Sequence, residues 1–313
     1  MHNKKISVII PTYKPGKELG LILKKLALQE QPVYEVIIIN TDIALFDDRI
    51  LNGVEGDFLQ KIRVIHIEKK EFDHGATRNL GVRESRGDYV MFMTQDAMPY
   101  NKQLTKELLV PFEDEQVCVV YARQLPREDC DKIERLTRDY NYPGYDIIKS
   151  KQTLQQYGIK NYFCSDVCSM YDKEKFIGYG GFVNRAIFNE DMIFAHTAID
   201  KGDIVYYSSK AKVVHSHNYS CMEQLRRNFD NGVSQALHPE VYDGIISEGE
   251  GIKMVLDNCG KLLKKGYFYL IPKLIVKSGF KFVGFRLGKS HKRLNKKIIL
   301  FLTSNKQYWN MEE

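Results

Sequence analysis

Short runs of apolar, β-branched residues alternate with segments of amphipathic spacing along the N-terminal third of the chain. The run at 6–10 ends at Pro11, and the segment 17–28 has apolar residues at the three- and four-residue intervals of a helix. This alternation predicts a strand, a loop and a helix in that order. The same criteria predict strands at 35–40, 61–67 and 88–93, and a helix at 76–86 that stops before Gly87.

The predicted strands have few polar positions, which is typical of parallel strands that helices cover on both faces. Strands that alternate with helices predict an α/β fold with an open, doubly wound, Rossmann-like and mostly parallel sheet. In such sheets ligands bind beyond the carboxyl ends of the strands. We therefore expect the loops that begin at Pro11, Asn40 and Thr94 to line one crevice.

The segment 129–158 has a different character, since it is polar, rich in tyrosine and contains Pro143 followed by Gly144. It predicts a long excursion rather than part of the sheet. Two interpretations stay open for it. The segment is either a loop that contacts substrate or a pair of surface helices with no direct role.

The composition is that of a folded globular protein. The chain has 313 residues, 43% of them hydrophobic, and six cysteines that include no C-x-x-C pair. These values exclude a disordered chain, a collagen-like repeat and a disulfide-stabilised miniprotein. The cysteine spacing also disfavours a zinc site or a redox pair.

The formal charge of +6 is concentrated at one end of the chain. Residues 258–313 carry 13 Lys or Arg against two Glu, a net +11, which leaves 33 basic and 38 acidic residues, a net −5, for residues 1–257. The acidic body argues against nucleic acid as a partner along the whole protein. The basic end predicts a local anionic surface as its partner.

The segment 262–302 mixes Lys and Arg with aromatic and aliphatic residues. We expect this segment to be broken into short cationic amphipathic pieces by Pro272 and by the glycines at positions 266, 279, 284 and 288. Such pieces lie in the headgroup zone of a bilayer, so we expect residues 258–302 to bind an anionic membrane surface. The alternative is a basic face that packs on the core or forms a homo-oligomer.

Neither an export signal nor a membrane span is recognisable in the sequence. The apolar run before Pro11 has only five residues, too few for the core of a signal peptide. No uninterrupted apolar stretch reaches the about 18 residues that a spanning helix needs. We therefore expect a peripheral protein at the cytoplasmic face of the membrane.

Polar residues at three places in the chain are candidates for chemistry. Asp96 directly follows the predicted strand 88–93, where a carboxylate can hold a divalent cation or can simply cap a turn. Glu190 and Asp191 open an apolar segment, and a carboxylate there is either a general base or a helix cap. His215 and His217 follow a β-branched run, and in an extended chain only one of them would face the crevice.

Taken together, these motifs resemble those of family 2 glycosyltransferases, which have the GT-A fold. The resemblance spans about residues 5–220 and rests on VIIPTY, EVIIIN, TRNLG, TQDA in the place of the D-x-D motif, GGF and the Glu190-Asp191 pair. Three longer motifs, EFDHGATRN, YARQLP and HSHNYS, resemble bacterial rhamnosyltransferases that use dTDP-L-rhamnose. Two positions depart from the family pattern, because Asn40 and Thr94 stand where family members usually have Asp.

The resemblance implies a role for each matching residue. The implied donor-binding residues are Pro11, Thr12, Tyr13, Asn40, Asp73, Arg78, Gln95 and Asp96. The implied acceptor-binding residues are Arg123, Asp166, Gly181 and Phe182. An amide at position 40 can still hydrogen-bond a pyrimidine, and the Arg78 guanidinium suits a diphosphate.

The resemblance also implies the metal and the reaction. Mn²⁺ or Mg²⁺ would be held by Asp96 with His215, or with His217, and His215 is the first choice. Asp191 would be the catalytic base, with Glu190 beside it as a helper. The implied reaction is a single in-line displacement that inverts the anomeric configuration.

The resulting prediction is an inverting rhamnosyltransferase that acts on a lipid-linked glycan acceptor. Residues 1–225 would form the catalytic domain, with a donor half at about 1–125 and an acceptor half at about 126–225, and residues 226–313 a helical C-terminal region. The alternatives are the same chemistry with another nucleotide sugar, and a non-catalytic membrane-bound protein that binds sugar nucleotides. The presence of Glu190 and Asp191 argues against the second.

Overall fold

The computed structural model describes residues 4–244 and 248–310. Glu312 and Glu313, the two acidic residues in the net charge of residues 258–313, lie outside the described residues. Its strands are β1 (Ile6–Tyr13), β2 (Glu35–Thr41), β3 (Ile62–Ile67), β4 (Tyr89–Met93), β5 (Met98–Pro99), β6 (Val117–Leu125), β7 (Ile147–Lys149), β8 (Cys168–Asp172) and β9 (Ile204–Val214).

The α-helices agree with the predicted alternation in the N-terminal part and continue to the C-terminal end of the described chain. They are α1 (Lys17–Ala27), α2 (Gly56–Leu59), α3 (His74–Glu84), α4 (Leu104–Leu109), α5 (Lys132–Asn141), α6 (Leu154–Tyr157), α7 (Lys173–Gly178), α8 (Glu190–Asp200), α9 (Cys221–Leu237), α10 (Pro239–Tyr242), α11 (Glu248–Lys264), α12 (Ile271–Lys289), α13 (Lys296–Leu302) and α14 (Lys306–Asn310).

The strands form one sheet in the order β3-β2-β1-β4-β8-β6-β9-β5, and β7 also pairs with β9. The first four strands of this order are parallel, with Val8 opposite Val36 and Met91. Because β1, β2 and β4 run in the same direction, their carboxyl ends lie at one edge, as predicted. The α/β class is confirmed, whereas the antiparallel pairings of β8, β5 and β7 were not predicted.

The chain divides into two compact units. Unit 1 is the described part of Met1–Arg127 together with Tyr142–Asn184 and Glu190–His215, and it contains the whole sheet. Unit 2 is Glu128–Asn141, Arg185–Asn189 and the described part of Ser216–Glu313. The predicted domain boundary at residue 225 stays a prediction.

The core of unit 1 lies between the sheet and its helices. Val8 and Ile38 of adjacent strands are completely buried, and Leu19, Ile22 and Leu23 of α1 pack in the same cluster. These are the positions that the apolar runs and the helical spacing selected. The hydrophobic pattern therefore located this half of the sheet and its first helix.

One prediction about the excursion at 129–158 is wrong, because the short strand β7 belongs to the sheet. Three residues that include a lysine show no apolar alternation, so the sequence gives no sign of a strand there. Lys149 is nevertheless buried, and its ammonium group donates to the Tyr121 hydroxyl at 2.6 Å and to the Phe163 carbonyl. Burial lowers the pKa of Lys149 to about 7.

A second prediction fails in unit 2, where α12 is one uninterrupted helix from Ile271 to Lys289. Pro272 stands in its first turn, where a missing N–H costs no helical hydrogen bond. Gly284 and Gly288 are buried against α9, and a Cβ at either position would collide with the carbonyl oxygen of Leu225 or Phe229. These glycines therefore allow two helices to approach closely instead of breaking one. Within the described residues, no helix is both long and apolar enough to cross a membrane.

We expect Gly288→Ala to destabilise unit 2 by about 1–3 kcal/mol or more, because the added methyl group meets backbone atoms that cannot rotate away. Gly279→Ala in the same helix is the matched control, since nothing lies within 4 Å of its Cβ position. The control should be neutral or stabilised by up to about 1 kcal/mol.

Tryptophan fluorescence during urea unfolding measures this effect. The chain's single tryptophan, Trp309, is buried in the same cluster as Phe229 and therefore reports on unit 2. Equal midpoints for the two variants would contradict the close helix packing.

Candidate active site

The ends of β1 and β2 are joined by side chains at the predicted edge. The Thr12 hydroxyl donates to Asn40 Oδ1 at 3.0 Å, and Asn40 Nδ2 donates to the Asp42 carbonyl at 3.0 Å and lies 3.1 Å from His66 Nδ1. Asn40 is completely buried, so its amide holds the strand ends together. Its predicted contact with a nucleotide base stays a prediction.

The loop after β4 is attached to the end of β1 by Gln95. Its amide nitrogen donates to the Tyr13 carbonyl at 3.0 Å, and its amide oxygen accepts from the Tyr13 backbone N–H at 2.9 Å. The Tyr13 ring is exposed, with the ammonium groups of Lys14 and Lys69 5.4 Å and 5.9 Å from its centre. This arrangement presents an aromatic face and positive charge at the edge next to Pro11.

Asp73 begins α3 as its N-cap, because its side chain accepts from the Ala76 backbone N–H at 2.7 Å. Burial raises the pKa of this carboxyl group above its usual value. The cap fixes the first turn of α3, and one turn later the same helix carries Arg78. The helix thus begins two residues before the predicted start at Ala76.

Arg78 is buried and surrounded by carboxylates. Its Nε lies 3.2 Å from Asp166 Oδ2, its Nη1 lies 3.1 Å from Glu190 Oε1, and Nη1 also donates to the His74 carbonyl at 2.9 Å. The exposed fractions are 7% for Arg78, 3% for Asp166 and 6% for Glu190. The guanidinium therefore makes its ion pairs inside the protein, and the predicted contact with a donor diphosphate stays a prediction.

Asp166 precedes β8 and is held by that strand. Its Oδ1 accepts from the Ser169 hydroxyl at 2.6 Å and from the Tyr171 hydroxyl at 2.7 Å. Ser169 and Tyr171 are two positions apart in β8, so the strand pleat points both hydroxyls to one side. Asp166 is thus a rigid part of the cluster around Arg78.

Asp191 is the third carboxylate of this cluster and stands in the first turn of α8. Its Oδ1 accepts from the Met192 backbone N–H at 2.8 Å, and its Oδ2 accepts from the Asp166 backbone N–H at 3.2 Å. Unlike Asp166 and Glu190, Asp191 remains partly exposed. It is therefore the member of the cluster that a bound molecule can reach.

The cluster has more negative than positive charge. One guanidinium faces three carboxylates, and removing such charges from water favours their protonated forms. Burial, followed by the charges of Glu190 and Asp166, raises the pKa of Asp191 well above its usual value. Burial also raises the pKa of Asp166, although the charge of Arg78 opposes the shift. A partly exposed carboxylate with a raised pKa is suited to accept a proton from a hydroxyl group.

The loop with the predicted residues Gly181 and Phe182 is attached to α3 by Asn79. Its amide nitrogen donates to the Phe182 carbonyl at 2.8 Å, and its amide oxygen accepts from the Phe182 backbone N–H at 3.0 Å. Gly180 and Gly181 have positive φ angles of 90° and 70°, which favour glycine. The sequence motif contains Asn79, but nothing in the sequence assigns it this role.

Arg123 lies at an irregular position of β6, where the pairing with β9 shifts register between Ala122 and Arg123. Such bulges redirect a side chain and are common beside active sites. Among the described residues, its buried Nε has no hydrogen-bond partner. This position fits the predicted acceptor contact, which stays a prediction.

His215 and Asp96 form a second group. The Gln124 amide nitrogen donates to the Tyr142 hydroxyl at 2.6 Å and to Ser165 Oγ at 2.9 Å, so its oxygen accepts from His215 Nδ1 at 3.0 Å. This hydrogen bond places the proton on Nδ1. His215 Nε2, which lies 3.5 Å from Asp96 Oδ2, then carries the lone pair that a metal ligand needs.

Asp96 and His215 thus bring a carboxylate oxygen and an imidazole nitrogen to within 3.5 Å of each other in unit 1. A carboxylate oxygen with an imidazole nitrogen is a donor pair that fits a divalent cation such as Mn²⁺. His217 belongs to unit 2, and its predicted part in the metal site stays a prediction.

The structure thus distributes the predicted residues over separate groups. Arg78, Asp166, Glu190 and Asp191, which were assigned to donor, acceptor and catalytic roles, form one cluster. Gln124, Ser169 and Tyr171 support the two chemical groups and were not predicted. The motif YARQLP contains Gln124, but its role depends on His215, which is far away in sequence.

Sequence comparison identifies related proteins. The model of the family "Glycosyl transferase family 2" matches residues 7–180. The chain is 34% identical over 308 residues to the O-antigen chain rhamnosyltransferase RfbN of Salmonella typhimurium, covering 98% of this chain and 96% of that protein. It is 36% identical over 306 residues to the O-antigen chain rhamnosyltransferase WbaN of Salmonella anatum, covering 97% and 95%.

Structural comparison finds the same fold in solved glycosyltransferases. The mannosyltransferase PcManGT from Pyrobaculum calidifontis, in complex with GDP-Man and Mn²⁺, superposes with a TM-score of 0.62 at 13% identity, covering 93% of this chain and 88% of that one. Residues 1–349 of TarS from S. aureus, in complex with UDP-GlcNAc, give a TM-score of 0.51 at 15% identity, covering 92% and 91%. At this identity the likeness shows the fold, which is the GT-A fold, and nothing about the substrate.

Proposed function

Because the chain belongs to glycosyl transferase family 2, we propose that it transfers L-rhamnose from dTDP-L-rhamnose to a hydroxyl group of a glycan acceptor in the synthesis of a surface polysaccharide. The observation that carries this proposal is the identity to two O-antigen chain rhamnosyltransferases over nearly the whole length of both chains. The cluster around Arg78 supports it, since it supplies a base for the acceptor hydroxyl.

Asp191 is the proposed base. As the acceptor oxygen attacks the anomeric carbon, its proton passes to the Asp191 carboxylate. The bond from that carbon to the diphosphate breaks, and its electron pair leaves with dTDP. Because attack and departure occur on opposite sides, the anomeric configuration inverts. The raised pKa of Asp191 strengthens it as a base relative to an exposed carboxylate.

The neighbouring residues hold this base in place. Hydrogen bonds from two backbone N–H groups fix the orientation of the Asp191 carboxylate, and Arg78 balances part of the negative charge of Asp166 and Glu190. A divalent cation held by Asp96 and His215 would supply positive charge to the departing diphosphate. In this proposal Arg78 is a positioning residue.

The edge formed by β1, β2 and the loop after β4 is the proposed donor site. Tyr13 offers an exposed ring on which a pyrimidine base can stack, and Lys14 and Lys69 lie beside it. Thr12 and Asn40 keep this edge in shape through their mutual hydrogen bond. We further propose that the acceptor is lipid-linked and that the enzyme acts at the cytoplasmic face of the membrane.

The function is tested by incubating the full chain with dTDP-L-rhamnose, Mn²⁺ and lipid-linked glycan acceptors, with products identified by mass spectrometry. Asp191→Asn is the matched variant, because it keeps the shape of the side chain and its single oxygen can still accept one of the two backbone hydrogen bonds. We expect wild-type turnover, and turnover about 10²–10⁴-fold lower in the variant. Stabilisation of both proteins against heat by dTDP-L-rhamnose should be equal.

Two results would count against this proposal. Transfer from GDP-mannose or UDP-GlcNAc but not from dTDP-L-rhamnose would mean that another sugar is the substrate. No transfer from any donor, with binding of the nucleotide sugar retained, would mean that the protein is not catalytic.

We expect the pH profile to depend on Glu190. Asp191 must be ionised to act as a base, so kcat/KM falls when the pH drops through its raised pKa. Glu190→Gln removes a like charge that contributes to this shift, and the acidic limb should therefore move to lower pH. Asp200→Asn, at the exposed end of the same helix, is the control and should leave the limb in place. An acidic limb that stays or moves upward in Glu190→Gln would contradict the coupling.

Loss of a residue that only supports a metal ligand typically weakens metal binding about 10–100-fold. We expect His215→Ala, which removes a ligand itself, to weaken the binding of Mn²⁺ at least as much. Electron paramagnetic resonance of the free ion measures the affinity without any turnover. His238→Ala is the control, because His238 also pairs with a carboxylate, that of Glu240, at 2.8 Å. Equal affinity in the two variants would exclude His215 as a ligand.

A further inference from the structure

The helix α12 presents an apolar face to solvent. Ile275, Val276, Phe282 and Val283 are all exposed, and Gly279 lies between the two pairs. Residues three and four positions apart lie on the same face of a helix, so these five positions form one stripe. No charged side chain interrupts the stripe between Ile275 and Val283 on this face.

Lys277 and Lys281 of α12 lie on the opposite side of the helix, next to Asp131 and α5 within unit 2. Lys277 Nζ lies 2.8 Å from Asp131 Oδ2, and the Lys277 side chain is only 12% exposed. Lys281 is also largely buried. Burial lowers the pKa of its ammonium group, although the negative charge of Glu134 on α5 opposes this shift. Two lysines of α12 are thus largely buried while four of its large apolar side chains stay exposed, although Leu274, Phe280 and Leu287 pack inside unit 2.

The preceding helix and turn continue this pattern. Ile252, Leu256 and Leu263 are exposed on α11, and Phe268 and Tyr269 are exposed in the 3₁₀ turn Phe268–Leu270 that leads into α12. The α11 helix contacts both the turn and α12. The nine side chains named on these three elements are between 47% and 67% exposed, far more than burial in a core would leave.

The charges beside the turn and α12 are basic, whereas the acidic residues of α11, such as Asp257, lie at or before position 257. Exposed basic residues flank the apolar stripe, and they are Lys264, Lys265, Lys273, Arg286 and Lys289. From position 258 to 310 the sequence contains no acidic residue. A protein partner would have to be both apolar and strongly acidic, whereas an anionic lipid bilayer offers an apolar layer directly beneath a negatively charged surface.

We propose that the outward face of α11, the turn Phe268–Leu270 and α12 is a membrane-docking surface that inserts its apolar side chains into the headgroup zone of an anionic bilayer. The ion pair of Lys277 with Asp131 fixes the rotation of α12 about its axis, so the apolar stripe stays outward. This docking surface lies in unit 2 and depends neither on the identity of the sugar nor on that of the acceptor.

Vesicle flotation with the full chain tests the proposal. Vesicles of phosphatidylethanolamine and phosphatidylglycerol are compared with vesicles of phosphatidylcholine alone. We expect binding to the anionic vesicles only, and weaker binding when the salt is raised from about 0.1 M to about 1 M, because salt screens the basic residues.

The double variant Ile275→Ser with Phe282→Ser removes two exposed apolar side chains from the docking surface. We expect its binding to anionic vesicles to fall at least about tenfold, since each side chain loses its favourable transfer out of water. Leu21→Ser with Leu28→Ser is the matched control in unit 1, where both residues are similarly exposed. The control should bind vesicles like the wild type.

Three outcomes would overturn the proposal. The first is that the wild type does not bind anionic vesicles. The second is that the Ile275/Phe282 variant binds them as well as the wild type does. The third is that the wild type binds no vesicles but forms a dimer in light scattering, and the variant does not form this dimer. Stabilisation by dTDP-L-rhamnose is measured on the same variants and should not change. A failure of the docking surface is thereby distinguished from a failure of the proposed enzymatic function.

Discussion

The arrangement of the candidate active site depends on the ion pairs of one buried arginine. Arg78 contacts Asp166 before β8 and Glu190 at the start of α8, and it comes from α3, so three separate segments meet at its guanidinium. Loss of one partner of such a buried pair leaves an uncompensated charge, which is costly. The pairs therefore constrain where α8 begins, and with it the position of Asp191.

The same cluster explains how a carboxylate can accept a proton efficiently. Burial favours the protonated form of Asp191, and the charges of Glu190 and Asp166, which Arg78 balances only in part, raise its pKa further. Three carboxylates share one guanidinium, and the excess negative charge in a buried place raises the affinity of Asp191 for a proton. The partial exposure of Asp191 directs this affinity toward a bound hydroxyl group. Geometry and electrostatics thus select the same residue.

The sequence predicted those features that depend on local pattern and missed those that depend on distant partners. Apolar runs and helical spacing located β1 to β4 and α1, because burial between two layers requires such patterns. The position of Arg78 could not be predicted, since an arginine in a helix is ordinarily at the surface and its partners lie more than eighty residues away. Likewise, Gln124 supports His215 only because the fold brings them to 3.0 Å.

Buried cations explain the largest error as well. The segment that became α12 was expected to be broken at its glycines and to place its lysines against an anionic membrane surface. In the fold, Gly284 and Gly288 allow close contact with α9, and Asp131 gives Lys277 a partner inside unit 2. With Lys277 held on the inside, the stripe from Ile275 to Val283 on the opposite side faces outward. An ion pair between distant segments thus determines which surface the protein exposes, just as Arg78 determines where its base lies.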